Sequence, residues 1–256
     1  MKLIWTYYPN ILFDKKDYPI IILNYHIASI QAAKKLGYYT IIYTDIVSSE
    51  KFKDVVDEIV VVNNYEDSPL FDALNIKVLE ERQDEYCLID GDVILHNHLP
   101  QFIGDVVFDC YEKTHLNGYS KILSLLDELG INEIIKDWKS EKQNVINIGM
   151  LSIRNNELKQ KYINDWKLYN EFIKKHLDKF TKDSVNDKPT LFQATAVGAQ
   201  YLLTMISNSF KYTKQPLQLE VRTKGEYYQH HSGDIKYLNP IIPITILKND
   251  INKSFI

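Results

Sequence analysis

A chain of 256 residues with 45% hydrophobic and 25% charged residues is long enough to bury a substantial core and too apolar to be disordered. Its net charge of −4 and its scattered basic residues argue against nucleic acid as a partner. Cys87 and Cys110 lie in apolar runs, so we expect small buried residues and no disulfide framework.

The first half of the chain alternates strand and helix patterns. The predicted strands span residues 3–8, 39–44, 58–62 and 86–89, and the predicted helices span residues 17–35, closed by Gly37, and 69–82. This alternation is typical of a parallel sheet covered by helices, in which ligands bind at the carboxyl ends of the strands.

The second half has longer helical patterns. Strands are predicted over residues 105–110 and 145–153, and helices around 122–129, over 158–177 and from 189 to about 205. The aromatic stripe of the helix from residue 158 is interpreted as core. The N-terminal segment has no features of a secretory signal, and no apolar run is long enough to span a bilayer, so we expect a cytoplasmic protein without a transmembrane segment.

The tripeptide Asp90-Gly91-Asp92 follows the predicted strand 86–89 and precedes a second apolar run, Val93 to Leu95. Two carboxylates at the end of a rigid strand suit a hard divalent cation that also keeps positions open for phosphate oxygens. Asp-Gly between apolar runs is equally typical of a β-hairpin turn. On these residues alone, a metal site and a simple turn are both open.

A later polar segment, Tyr227 to Lys236, supplies an imidazole, a glycine and an ammonium group. An imidazole from this segment, that of His230 or His231, would complete a metal site. Gly233 would let backbone N–H groups approach phosphate oxygens, and Lys236 would neutralise a leaving phosphate. The alternative is a solvated loop with incidental histidines.

Three short motifs occur in a characteristic order along the chain. Their positions are Asp90 and Asp92, then Asn147 and Gly149, then His230, Gly233 and Lys236. This order resembles the nucleotide-sugar-dependent glycosyltransferases of the GT-A fold, and among them the retaining glycogenin and lipopolysaccharide galactosyltransferase-like family. The resemblance implies an α/β fold, with a Rossmann-like, mixed and mainly parallel sheet flanked by helices, in a single domain with a C-terminal extension.

The resemblance also implies roles for individual residues. Asp92 and His230 would be ligands of Mn²⁺ or Mg²⁺, and Asp90 would bind both the metal and the ribose of the nucleotide. The residues implied to bind the nucleotide sugar are Thr6, Tyr7, Asn75, Asp90, Gly91, Gly233 and Lys236. Those implied to lie near the reacting sugar are Asn147 and Gln193.

The chain departs from the family pattern at two places. Lys236 is followed by Tyr237 where the family commonly has Pro-Trp, and Gln193 is preceded by Phe192 where an Asp is usual. Retention and inversion at the anomeric carbon are therefore both open. An inverting enzyme needs a carboxylate base, for which Asp187 and Asp234 are available.

The implied activity is that of a hexosyltransferase. It would move a sugar from a nucleotide diphosphate sugar, most often a UDP-sugar, to a saccharide or glycoconjugate acceptor. The implied organisation is a single domain over residues 1–256. Its nucleotide-binding half, 1–100, would end in the Asp-x-Asp turn (the DXD motif) formed by Asp90, Gly91 and Asp92. Its acceptor half, 101–256, would contain the C-terminal metal and diphosphate segment. The alternatives are a haloacid dehalogenase-like phosphohydrolase, a sugar nucleotidyltransferase, and a non-catalytic GT-A-like binding protein.

Overall fold

The computed structural model describes residues 1–8, 18–63, 68–70, 72–113, 119–141, 143–181, 189–218 and 226–230. The strands are β1 (Lys2–Tyr7), β2 (Tyr39–Thr44), β3 (Glu58–Val61), β4 (Tyr86–Ile89), β5 (Val93–Leu95), β6 (Val106–Phe108), β7 (Tyr111–Lys113), β8 (Asn144–Ile146), β9 (Met150–Ile153), β10 (Lys214–Pro216) and β11 (Tyr228–His230). The helices are α1 (Tyr18–Lys35), α2 (Ile46–Ser49), α3 (Ala73–Glu81), α4 (Tyr119–Glu128), α5 (Ile131–Ile134), α6 (Asn156–Lys175), α7 (Leu191–Ala196) and α8 (Leu202–Ser209). The predicted C-terminal extension lies outside the described residues.

Seven strands form the central sheet, in the order β10-β6-β9-β4-β1-β2-β3. The neighbours of β1 and β2 run parallel to them, β10 runs parallel to β6, and β9 is antiparallel to both β4 and β6. The predicted fold class, a mixed and mainly parallel sheet flanked by helices, is confirmed.

The first two β-α-β units form because their strands are apolar on both faces and their helix ends have clear signals. All four residues of β4 are buried, as expected for an inner strand of a parallel sheet. Helix α1 ends where Gly37 adopts φ of +80°, and the N–H of Tyr38 donates to the Ala33 carbonyl at 3.2 Å. This is the Schellman arrangement that glycine favours, so the predicted stop at Gly37 is confirmed.

Helix α6 packs its apolar stripe into the larger of two core clusters. The buried members of this stripe are Leu158, Tyr162, Trp166, Tyr169 and Ile173. The interpretation of these aromatic residues as core is confirmed. Both cysteines are buried and neither forms a disulfide, also as predicted.

The predicted strand 145–153 is wrong in one respect, because it is two strands in different sheets. Strand β8 pairs with β7 in a separate two-stranded sheet, whereas β9 joins the central sheet. Between them, the side-chain oxygen of Asn147 accepts a hydrogen bond from the N–H of Gly149 at 2.8 Å. Such a local bond competes with strand pairing and turns the chain.

The helix predicted from residue 189 begins after Thr190 and continues to Ser209. It contains a π-helical segment, Val197–Tyr201, between α7 and α8. Within the described ranges, no helix combines the length and hydropathy needed to cross a membrane.

Candidate metal-binding site

A tight turn at the carboxyl end of β4 presents the two acids. The N–H of Val93 donates to the Asp90 carbonyl at 3.1 Å, closing the turn. The N–H of Asp90 donates to the Gly149 carbonyl at 2.8 Å, which anchors the turn to the start of β9. Asp90 and Asp92 therefore project from backbone that is held on both sides.

Strand β11 brings the imidazole to this turn. It pairs antiparallel with β5 in a two-stranded sheet, and the register places His230 opposite Val93, next to Asp92. Strands β4 and β5 lie in different sheets, so the β-hairpin alternative is wrong even though a turn is present. The turn redirects the chain from the central sheet to the strand that receives His230.

Asp90, Asp92 and His230 form a cluster of three potential ligands. One ligand atom from each lies within 4.8 Å of the other two, and Nε2 of His230 is 3.3 Å from Oδ1 of Asp92. Asp92 and His230 are 8% and 3% exposed, while Asp90 is more accessible. Two carboxylates and one imidazole are a donor set that suits a divalent cation, and a small inward adjustment would bring them into one coordination sphere.

The second ring nitrogen of His230 contacts a buried acid that the sequence analysis missed. Nδ1 of His230 lies 2.5 Å from Oδ2 of Asp109, the first residue after β6. Burial alone would lower the pKa of His230, but Asp92 and Asp109 outweigh burial and hold this pKa well above its usual value. Asp109 lies within the predicted strand 105–110, so an acid in an apolar run was the available sequence signal.

Two glycines are required at this site because of close approach. A Cβ at Gly91 would lie 2.1 Å from the ring of His26, whose nitrogens contact the carbonyls of Thr6 and Ile22. A Cβ at Gly149 would lie 2.4 Å from Cε1 of His230. Neither glycine has a left-handed backbone, so space determines the residue type at both positions.

The three candidates for the nucleotide side lie at or near the end of β1. The Thr6 hydroxyl donates to the Asn75 side-chain oxygen at 2.8 Å, which joins two of the predicted residues. Tyr7 is buried, and its hydroxyl has no hydrogen-bond partner among the described residues. Burial and the nearby charge of Asp45 raise the pKa of Tyr7 to about 12.

Asn147 lies beside the cluster and is held at both ends of its amide. Its nitrogen donates to Glu112 of β7, and its oxygen accepts from the N–H of Gly149, the residue against which the His230 ring packs. Sequence reasoning missed Glu112. The pairing of β7 with β8 brings it opposite Val145, two positions before Asn147.

Gln193 has a structural use in the described part of the chain. Its side-chain oxygen accepts from the N–H of Thr190 at 2.8 Å, and its own N–H donates to the Thr190 hydroxyl at 3.1 Å. The pair forms a capping box at the start of α7. Its predicted catalytic role stays a prediction, and the predicted residues Gly233 and Lys236, with His231, Asp187 and Asp234, lie outside the described residues.

The fold and the cluster define the chain as an α/β protein with a site suited to a divalent cation. No protein-family model matches the sequence, and no curated protein matches it either. Among solved structures, the apo crystal structure of mouse xyloside xylosyltransferase 1 is similar, with 9% identity over 85% of this chain and 84% of that chain, at a TM-score of 0.44. A likeness of this size assigns neither an activity nor a substrate.

Proposed function

We propose that the protein is a metal-dependent glycosyltransferase that moves a sugar from a nucleotide diphosphate sugar, preferably a UDP-sugar, to a hydroxyl of a saccharide or glycoconjugate. The observation that carries the proposal is the Asp90, Asp92 and His230 cluster at the carboxyl end of β4 in a mainly parallel sheet. Ligands of such sheets bind at that end, and a cation there would face a substrate diphosphate.

Asp92 and His230 would hold the ion from their buried positions, and Asp90 would reach both the ion and a ribose hydroxyl because it is more accessible. Mn²⁺ accepts a mixed oxygen and nitrogen set more readily than Mg²⁺ does, so Mn²⁺ is preferred. When bound, the ion would stabilise negative charge on the departing diphosphate as a Lewis acid. Lys236 would add a fixed positive charge on the same side.

Unsatisfied polar atoms at the ends of β1 and β2 support a nucleotide on that side. The Tyr7 hydroxyl, Oδ2 of Asp45 and the Ser48 hydroxyl are buried without a hydrogen-bond partner in the described structure. Buried polar groups are normally paired, and an unpaired one costs about 1–3 kcal/mol. We propose that the base of the nucleotide supplies partners here, with Thr6 and Asn75 close by.

The acceptor would approach from the side of Asn147 and Gly149. Glu112 adds a carboxylate to this side, and an inverting transferase needs such a group as the base for the acceptor hydroxyl. Product analysis by NMR decides between retention and inversion. Gln193 is kept as a proposed sugar-facing residue, in addition to its capping contacts.

The proposal is tested by screening nucleotide sugars for Mn²⁺-dependent hydrolysis or transfer, with Asp92→Asn as the site variant. Asp84→Asn is the matched control, because Asp84 precedes the opposite end of β4 and forms a surface ion pair with Lys2 at 2.7 Å. We expect Asp92→Asn to lose metal-dependent turnover while Asp84→Asn retains it. Turnover in Asp92→Asn equal to wild type would contradict the proposal, as would a wild-type protein that binds neither Mn²⁺ nor UDP. Release of phosphate from a generic phosphate ester would instead support the phosphohydrolase.

A further inference from the structure

We infer that Asp109 is a positioning residue that orients His230 and presents its Nε2 atom to the metal. The inference rests on the proposed metal site. It concerns a fully buried carboxylate that none of the sequence motifs includes.

The position of Asp109 is held by its own backbone and by burial, independently of its contact with His230. It follows β6, its side chain is 0% exposed, and its N–H donates to the Met150 carbonyl of β9 at 3.0 Å. A carboxylate in such a place has little freedom to follow a moving partner. It can therefore serve as a reference point for the ring that contacts it.

Three donors converge on this carboxylate, and they divide unequally between its oxygens. Oδ1 accepts from the Tyr228 hydroxyl at 2.7 Å and from Nε2 of Gln218 at 2.6 Å. Oδ2 faces Nδ1 of His230 at 2.5 Å. Tyr228 and His230 are two residues apart on β11, so they lie on the same face of the strand and reach the same acid. Asp109 thereby fixes the strand as well as the ring.

The contact determines which nitrogen of His230 is available. Because Nδ1 donates to Asp109, Nε2 is the atom that faces Asp92, at 3.3 Å. Metal-binding histidines commonly donate their second ring N–H to a carboxylate, which fixes the tautomer and the orientation of the ring. The geometry of His230 between Asp109 and Asp92 follows this arrangement.

Gly149 restrains the ring from another side. A Cβ there would lie 2.4 Å from Cε1 of His230 and 2.9 Å from Oδ2 of Asp109, so the ring and the carboxylate together fill the space that a side chain would need. The ring is thus confined by β9 while Asp109 holds its Nδ1 edge.

The test is Asp109→Asn, measured as Mn²⁺ affinity by titration with electron paramagnetic resonance, without any substrate. The amide oxygen of Asn is expected to take the Oδ1 position, where two donors need an acceptor, so that the NH₂ group faces His230. Nδ1 must then accept, which moves the ring N–H to Nε2, the atom that the metal needs. We expect Mn²⁺ affinity to fall about 10- to 100-fold, the usual cost of losing such a partner.

Two comparisons separate orientation from a general loss of structure. Asp72→Asn is the matched control, since it also changes a buried carboxylate to an amide, and we expect it to leave Mn²⁺ affinity unchanged. In a His230→Ala background, Asp109→Asn should cause no further loss, because Asp109 acts through the ring. A second observation needs no Asp109 variant: the wild-type protein should show a low-field Nδ1 proton resonance that disappears in His230→Ala.

The outcomes are distinct. A 10- to 100-fold loss that vanishes in the His230→Ala background supports the inference, and so does the low-field resonance. Unchanged affinity in Asp109→Asn, an equal loss in the His230→Ala background, or absence of the resonance overturns it. If wild type itself binds no Mn²⁺, the proposed function fails as well, which is a different result from Mn²⁺ binding that does not depend on Asp109.

Discussion

Changing Asp72 to Asn should stabilise the protein at neutral and alkaline pH. Asp72 precedes α3 and is buried against α6, where its Oδ2 accepts from the Trp166 indole N–H at 2.8 Å. Its other oxygen has no hydrogen-bond partner within the described residues. Burial raises the pKa of Asp72 from 3.8 to about 7, although the Trp166 hydrogen bond acts in the opposite direction.

The effect of Asp72 on the free energy of unfolding depends on its protonation in the folded and in the unfolded protein. Below pH 3.8, Asp72 is protonated in both the folded and the unfolded protein, so its ionisation contributes nothing to the free energy of unfolding. Between pH 3.8 and 7 the unfolded chain releases its proton while the folded one retains it, so the free energy of unfolding falls as pH rises. The pKa difference of about three units, at 1.36 kcal/mol per unit, limits this loss of stability to about 4 kcal/mol. The loss is complete near pH 7 and constant above it.

Asparagine does not titrate, so Asp72→Asn removes this loss. Its oxygen can still accept from Trp166, but its NH₂ group takes the place of the unpartnered oxygen and costs about 1–3 kcal/mol. We therefore expect the variant to be more stable than wild type by about 1–3 kcal/mol at pH 8.5 and less stable than wild type at pH 4.

The assay is urea unfolding of both proteins at pH 4, 5.5, 7 and 8.5, followed by tryptophan fluorescence. Asp84→Asn is the control of opposite sign, because the hydrogen bond from Lys2 lowers the pKa of Asp84. The Lys2–Asp84 ion pair stabilises the protein above the unfolded pKa of Asp84, and this stabilisation is lost as pH falls. Its contribution is small because the pair is exposed. A stability difference between wild type and Asp72→Asn that does not change with pH would refute the reasoning.

Two further variants test the site. Gly149→Ala should weaken Mn²⁺ binding at least as much as His230→Ala does, because the new Cβ would displace the His230 ring. The measurement is calorimetric titration with Mn²⁺. Wild-type affinity in Gly149→Ala would show that the ring has room to move. Asp45→Asn keeps the oxygen that accepts from the Ser48 N–H at 2.8 Å but replaces the unpartnered one, so UDP affinity in the presence of Mn²⁺ should fall about 10-fold. Unchanged UDP affinity in that variant would remove Asp45 from the nucleotide side.

Local patterns were sufficient for much of the fold. Apart from the short helix α2, which was not predicted, the strands and helices up to Ile89 follow periodicity and end signals such as Gly37, which act over a few residues. The same holds for Asp90 and Asp92, whose position after an apolar strand is visible in the sequence. The break between β8 and β9 was missed because it depends on one side-chain contact of Asn147.

The partners of the site residues could not be read from the sequence in the same way. Asp109 meets His230 across 121 positions of sequence, because the order β6-β9-β4 brings the ends of these strands together and β11 is added through β5. No local pattern encodes such a contact. The capping role of Gln193, in contrast, was available locally, since Thr190 and Gln193 have the spacing of a capping box.

The short sheet of β5 and β11 would couple the proposed metal to strand β11. Each strand has three residues, and an isolated pair of this size is marginal in water. An ion shared by Asp92 and His230 would act as a cross-link between these strands, so adding Mn²⁺ should slow hydrogen exchange at Tyr228 to His230. A shortened form of the protein that ends before Tyr228 would lose this strand and the proposed metal ligand His230 in one step.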